Sequence, residues 1–129
     1  MDNASQGRKK VSKMGKALLK KMLRGKCLKM RQELAHGFVE RASGKICAKL
    51  VATPQFKEAK TILFYFPVKN EVNCVLAMQK AFELGKKVFL PMIRGWNFRI
   101  IEVKSFAALA KMKKGELGIR EPSGRKTPL

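Results

Sequence analysis

Lys69, Asn70, Glu71 and Asn73 stand together just after an apolar run, Ile62-Leu63-Phe64-Tyr65-Phe66, that ends at Pro67. They put a cation, a carboxylate and two amides in one short segment. A short apolar run bounded by turn residues reads as a strand buried on both faces, and Pro67, which cannot donate to a ladder, should stop it. The four polar residues then lie at the C-terminal edge of a strand, where open α/β sheets bind ligands. The plainer reading is that they only make a turn and cap the next helix, and geometry alone leans that way.

No other constellation in the sequence carries chemistry as directly. Cys27, Cys47 and Cys74 share no metal-ligand spacing and read as reduced thiols. With His36 the lone histidine, neither a metal site built on these residues nor a Ser-His-Asp or Cys-His arrangement is expected. Gly115-Glu116-Leu117-Gly118 lacks the Lys-Ser/Thr of a phosphate loop and has no strand-to-helix context.

The elements that position the polar segment follow from periodicity. Val72, Val75, Leu76 and Phe82 fit one face of a helix that Asn70 or Asn73 would cap. Gly85 ends that helix, and Val88-Phe89-Leu90-Pro91 is a second short buried strand. Strand, helix and strand make a βαβ unit with parallel strands. Arg94-Gly95 is a turn, Phe98, Ile100 and Ile101 suggest a third strand with Trp96 near its start, and Phe106 to Met112 a short helix. Upstream, Met14, Leu18, Met22, Leu23, Cys27, Met30 and Leu34 mark a packed amphipathic helix over about 13–35. His36-Gly37 should break it, His36 serving as a C-terminal helix residue. A second helix over 38–51 carries Phe38, Ala42, Ile46 and Leu50 as its apolar stripe, and Thr53-Pro54 stops it. Phe56 and Ala59 allow one more short turn. Residues 1–12 read as a disordered basic arm, 13–122 as a single α/β domain and 123–129 as a disordered tail.

The 129 residues suffice for one domain. No apolar run approaches the ~20 residues of a membrane helix, and no secretory signal is present, so a cytoplasmic location is expected. Mitochondrial import stays open, because a basic N-terminus poor in acids would also suit a presequence. The net charge is +20, divided as +10 over residues 1–31, +3 over 32–70 and +7 over 71–129. Such a balance implies anionic partners.

Taken in order, these pieces resemble the 5-formyltetrahydrofolate cyclo-ligase (5,10-methenyltetrahydrofolate synthetase) family. Lys20-Lys21-Met22-Leu23-Arg24 is similar to its early Lys-x-x-Leu-Arg. Phe64-Tyr65-Phe66-Pro67 with Asn70-Glu71-Val72-Asn73 is similar to its strand-turn-helix. Gly85-Lys86-Lys87-Val88-Phe89-Leu90-Pro91 is similar to its second strand, which ends at Pro, and Gly118-Ile119-Arg120-Glu121-Pro122 to its Gly-Ile-x-Glu-Pro loop. The resemblance covers nearly all of residues 16–122.

It implies a three-layer, Rossmann-like α/β fold with a partly parallel open sheet and flanking helices. It also implies conversion of 5-formyltetrahydrofolate to 5,10-methenyltetrahydrofolate with ATP and Mg2+: the formyl oxygen is phosphorylated, N10 attacks the activated carbon and phosphate leaves. On this resemblance Lys20, Lys21, Met22, Leu23 and Arg24 form the ATP-binding segment, with Lys20 and Arg24 on the phosphates. Val68, Glu71 and Asn73 fall where the family contacts the folate. A cationic pair one helical turn apart suits that role, since phosphoryl transfer is mostly positioning and charge neutralisation. Two departures stand out. Asn73 occupies a position where the family usually has an acid. The sequence also resembles the N-terminal part of the enzyme only, as if the C-terminal portion were missing, so a truncated copy is expected not to complete catalysis alone. The alternative reading is a small basic nucleic-acid-binding protein, resting on the +20 charge. Against it, the aromatics sit in apolar runs rather than among the cations. A basic amphipathic helix over 13–35 that binds a membrane surface or a calmodulin-like partner ranks third.

Overall fold

The computed structural model describes residues 13–114 and 120–121. The basic arm, the tail and most of the Gly-Ile-Arg-Glu-Pro segment lie outside the described residues. The described chain divides into two compact units, the first ending at Leu34 and the second beginning at Ala35.

In the described part of the first unit there is one helix, α1 (Lys13–Gln32). The periodicity predicted this helix. Met14, Leu18, Met22, Leu23 and Met30 are 59–78% exposed. One helix has no core of its own, and helical stability in water comes mainly from packing an apolar face.

The second unit holds α2 (His36–Val51), α3 (Pro54–Glu58), β1 (Thr61–Leu63), α4 (Val75–Glu83), β2 (Lys87–Arg94), β3 (Asn97–Val103), α5 (Phe106–Ala110) and two-residue strands β4 (Lys113–Lys114) and β5 (Arg120–Glu121). The main sheet has the order β1-β2-β3. β1 and β2 are parallel, Ile62 opposite Val88, with α4 in the crossover; β2 and β3 are antiparallel, Leu90 opposite Ile101. β4 and β5 form a separate antiparallel pair. The α/β class with a partly parallel sheet and flanking helices is therefore as read from the sequence.

Several local expectations change. The central strand is β2, not the run at 62–66. Val88, Phe89 and Leu90 are buried in succession, whereas β1 is only three residues long and leaves Leu63 half exposed. Among the described residues β1 pairs in the main sheet with β2 alone, as an edge strand. The Phe64 N–H still donates to Phe89 O at 2.9 Å, after which the chain leaves the ladder. β2 does not end at Pro91 but runs on to Arg94. Alternate residues point to one edge of a strand, so Pro91 shares the β1-facing edge with Phe89, two residues past it. It lies beyond the end of β1, where no ladder donor is needed.

His36 opens α2 instead of closing α1. The buried face of α2 is Val39, Ser43 and Cys47, one position on from the expected stripe, and Phe38, Ile46 and Leu50 are exposed. α3 follows from Thr53, whose hydroxyl accepts the Phe56 N–H at 3.2 Å, and from Pro54 in the first turn. The core joins α2, α3, α4 and α5 to one sheet face through Cys47, Phe56, Met78, Val88, Leu90, Val103 and Leu109. Ala77 and Ala81 are fully buried; their small side chains leave room for close packing. Gly95, at φ 57, turns the β2–β3 hairpin, and Trp96 beside it is fully exposed.

Candidate functional site

After Phe64 the chain must cross from the edge of β1 to α4, and residues 65–74 do so in an irregular but heavily bonded path. Lys69 and Asn70 both adopt left-handed backbone, φ 50 and 59. Asn tolerates that region; Lys pays roughly 1 kcal/mol for it. The turn is clamped from both sides by one residue. Glu71 Oε1 accepts the Val68 N–H at 2.9 Å, and the Glu71 N–H donates to Val68 O at 3.0 Å. Strained residues persist where their surroundings over-determine them. Lys69→Gly is therefore expected to keep the fold and raise unfolding free energy by about 0.5–1 kcal/mol, measured by urea denaturation.

Asn73 is the hub of the segment. Its Oδ1 accepts the Val75 N–H at 3.1 Å, a local turn just ahead of α4; the N-cap is Cys74, without a side-chain cap bond, rather than the expected Asn70 or Asn73, and the helix starts at Val75 rather than near Val72. Its own N–H donates to Ser43 Oγ at 2.8 Å, and its carbonyl accepts from Cys47 Sγ at 3.4 Å. Its Nδ2 donates to Glu40 Oε1 at 3.4 Å. Tyr65 adds a strap, its hydroxyl donating to Val72 O at 2.7 Å.

These contacts border an open, shallow cavity of about 150 Å3 lined by His36, Val39 and Glu40 of α2 and by Pro67, Val68, Lys69, Asn70, Glu71 and Asn73. Val68, Glu71 and Asn73, singled out from the sequence, are thus brought together around one space. His36, Glu40 and Ser43 were missed. They lie on the α2 face whose apolar signal is interrupted by Ser43 itself, so a regular apolar stripe on the neighbouring face drew attention instead. Lys20, Lys21, Met22, Leu23 and Arg24 all lie exposed on α1, with Lys20 and Arg24 one turn apart on the same side. A larger groove of about 580 Å3 at the N-terminal edge of the sheet is lined by Lys57, Lys60, Lys86 and Lys87. There Lys86 Nζ is tied to Lys57 O and Ala59 O. Glu58 also lines this groove, so both spaces carry groups of both signs, but only the first of the two lies at the strand edge where such sheets bind ligands.

Burial pushes the Cys74 thiol from its ordinary 9.0 up to about 11, with a smaller contribution from Glu71. Its sulfur donates to Tyr65 O at 3.1 Å, a bond the thiolate could not make. The folded state therefore holds this proton more tightly than the unfolded chain. Stability from this group is complete below about pH 9 and falls as pH rises from 9 towards 11. Cys74→Ser should flatten that part of the stability–pH curve, read from urea midpoints across the range.

No three His, Cys, Asp or Glu side chains converge to hold a metal among the described residues. No described helix is long and apolar enough to cross a membrane.

Comparison with known proteins gives this geometry a family. The model of the 5-formyltetrahydrofolate cyclo-ligase family matches residues 16–129. A probable 5-formyltetrahydrofolate cyclo-ligase of Schizosaccharomyces pombe is 30% identical over 94 residues, covering 71% of this chain and 45% of the relative. The structure of Aquifex aeolicus 5,10-methenyltetrahydrofolate synthetase superposes with a TM-score of 0.71 at 31% identity, covering 84% of this chain and 55% of that one. A 5,10-methenyltetrahydrofolate synthetase from Mycoplasma pneumoniae gives a TM-score of 0.60 at 27% identity, covering 67% and 54%. This chain thus spans about half the length of these relatives. Sequence match, fold and the ordered segments at α1, β1 and β2 agree: the chain belongs to the 5-formyltetrahydrofolate cyclo-ligase family.

Proposed function

We propose that this chain takes part in the ATP-dependent conversion of 5-formyltetrahydrofolate to 5,10-methenyltetrahydrofolate, as a cytoplasmic protein. The observation that carries the reading is the cavity at the C-terminal edge of β1, lined by Val68, Glu71 and Asn73, in a chain of this family. Val68, Glu71 and Asn73 hold the folate. Lys20 and Arg24, with Lys21, Met22 and Leu23 between them, hold the ATP phosphates. The +20 charge attracts both the nucleotide and the glutamate carboxylates of the folate. Magnesium suits a place on the ATP phosphates, since it binds through few protein carboxylates and several waters; no protein ligand is assigned to it. ATP supplies the phosphoryl group, and the chain's own part is to bind and orient. The comparisons lend nothing to the nucleic-acid alternative.

The test is a titration of the purified chain with ATP, then with magnesium and 5-formyltetrahydrofolate, following methenyl product by absorbance. Nucleotide and folate binding, with or without turnover, is the expected result. A chain that binds neither would overturn the proposal.

A further inference from the structure

We propose that Glu40 is a specificity-determining residue of the cavity: its carboxylate recognises the donor-rich heterocyclic head of the ligand. This rests on the folate reading above and names the residue that carries head recognition.

The chain has 9 acids against 29 bases. Yet two of those acids, Glu40 and Glu71, line one small cavity. Two carboxylates beside Lys69 in one pocket of a strongly basic surface select a ligand with two unlike ends. One end must offer hydrogen-bond donors and the other must be anionic, as in an amino-oxo heterocycle carrying a carboxylate tail. A cavity of about 150 Å3 is below the ~300–1,000 Å3 of whole-ligand pockets. It takes one end of such a molecule, the ring edge.

Hydrogen-bond accounting then separates the two acids. Glu71 uses Oε1 on the Val68 N–H, a bond that holds the turn. Asn73 has its Oδ1 on the Val75 N–H and its backbone N–H on Ser43. Asn73 carries no charge and cannot present two acceptors at once. Glu40 receives only the long 3.4 Å contact from Asn73 Nδ2 and is otherwise exposed on the first turns of α2. It is the carboxylate best placed to accept an adjacent pair of ring N–H and amino donors through both oxygens. Asn73 then orients Glu40, and the acid is supplied from α2 rather than from position 73.

The experiment uses the full chain and two probes, 5-formyltetrahydrofolate and p-aminobenzoylglutamate, which has the tail without the heterocycle. Glu40→Gln is expected to weaken folate binding by about ten- to a hundredfold, the scale of a hydrogen bond to a charged group. It should leave the tail probe and the melting temperature unchanged. Glu40→Gln combined with Asn73→Asp restores one carboxylate beside one amide in swapped order and should recover most of the loss. Unchanged folate binding in Glu40→Gln would overturn this assignment and leave the folate reading standing. Equal loss of both probes would make the role structural and overturn it as well. No folate binding by the unaltered chain would overturn the folate reading, and this inference with it.

Discussion

Arg24→Ala is expected to weaken ATP binding by about ten- to a hundredfold, measured by calorimetry, and Lys20→Ala by about tenfold. The two differ because a guanidinium can meet a phosphate with two parallel N–H donors, whereas an ammonium acts as a point charge. The size of the effect separates a site from a diffuse field. α1 carries eight cations and no acid between Lys13 and Gln32. Were nucleotide held by that field alone, removing any one cation would cost roughly the same small amount, and salt would abolish the binding. Lys26→Ala is the control: it is one of the same eight cations, two positions on from Arg24 and so on another side of the helix. Arg24→Lys should recover part of the loss. Alanine is the best helix former, and these side chains are exposed, so no change in fold is expected. Equal losses in Arg24→Ala and Lys26→Ala would remove the assignment of Lys20 and Arg24 to the phosphates.

How much of this was legible in the sequence depends on which signal was used. Periodicity and breakers located every element of the second unit from α2 to α5, because Gly85, Thr53-Pro54 and Gly95 each impose a local conformation that little else can supply. Which face was buried was harder to read. On α2 a clean four-residue apolar stripe pointed outward, while the buried face contained Ser43, whose hydroxyl is used by Asn73 thirty residues away in sequence. Such a partner has no local trace. For the same reason the run at 62–66 read as a strand buried on both faces, like β2. Both runs are apolar, and only pairing order shows that β2 lies between two neighbours.

The candidate site was half visible. Val68, Glu71 and Asn73 were found because turn chemistry and family resemblance converge on them. The left-handed backbone at Lys69 could not have been read from a residue type that rarely adopts it. The wall contributed by His36 and Glu40 depends on how α2 packs over the turn. That packing is fixed by Cys47 and Ser43 meeting Asn73, contacts whose meaning appears only once both segments are placed.

Leu90→Ala should remove about 3–5 kcal/mol of stability, against the 5–15 kcal/mol that domains of this kind possess. Leu90 is fully buried, at the middle of the central strand and opposite Ile101 on β3. Its neighbours in the core come from several elements, including Met78 of α4, Phe64 after β1 and Leu109 beyond β3. A cavity opened there could collapse only if the sheet and α4 moved together, so little of the lost contact would be recovered. The contrast within the same sheet is Leu63, which is half exposed on the edge strand. Leu63→Ala should cost under ~1 kcal/mol, since little of its area leaves water on folding. Leu90→Met, which roughly conserves volume, should cost under ~1.5 kcal/mol. Urea denaturation of the three variants orders them. A Leu90→Ala loss no larger than that of Leu63→Ala would mean that β2 is not the strand on which the core is built.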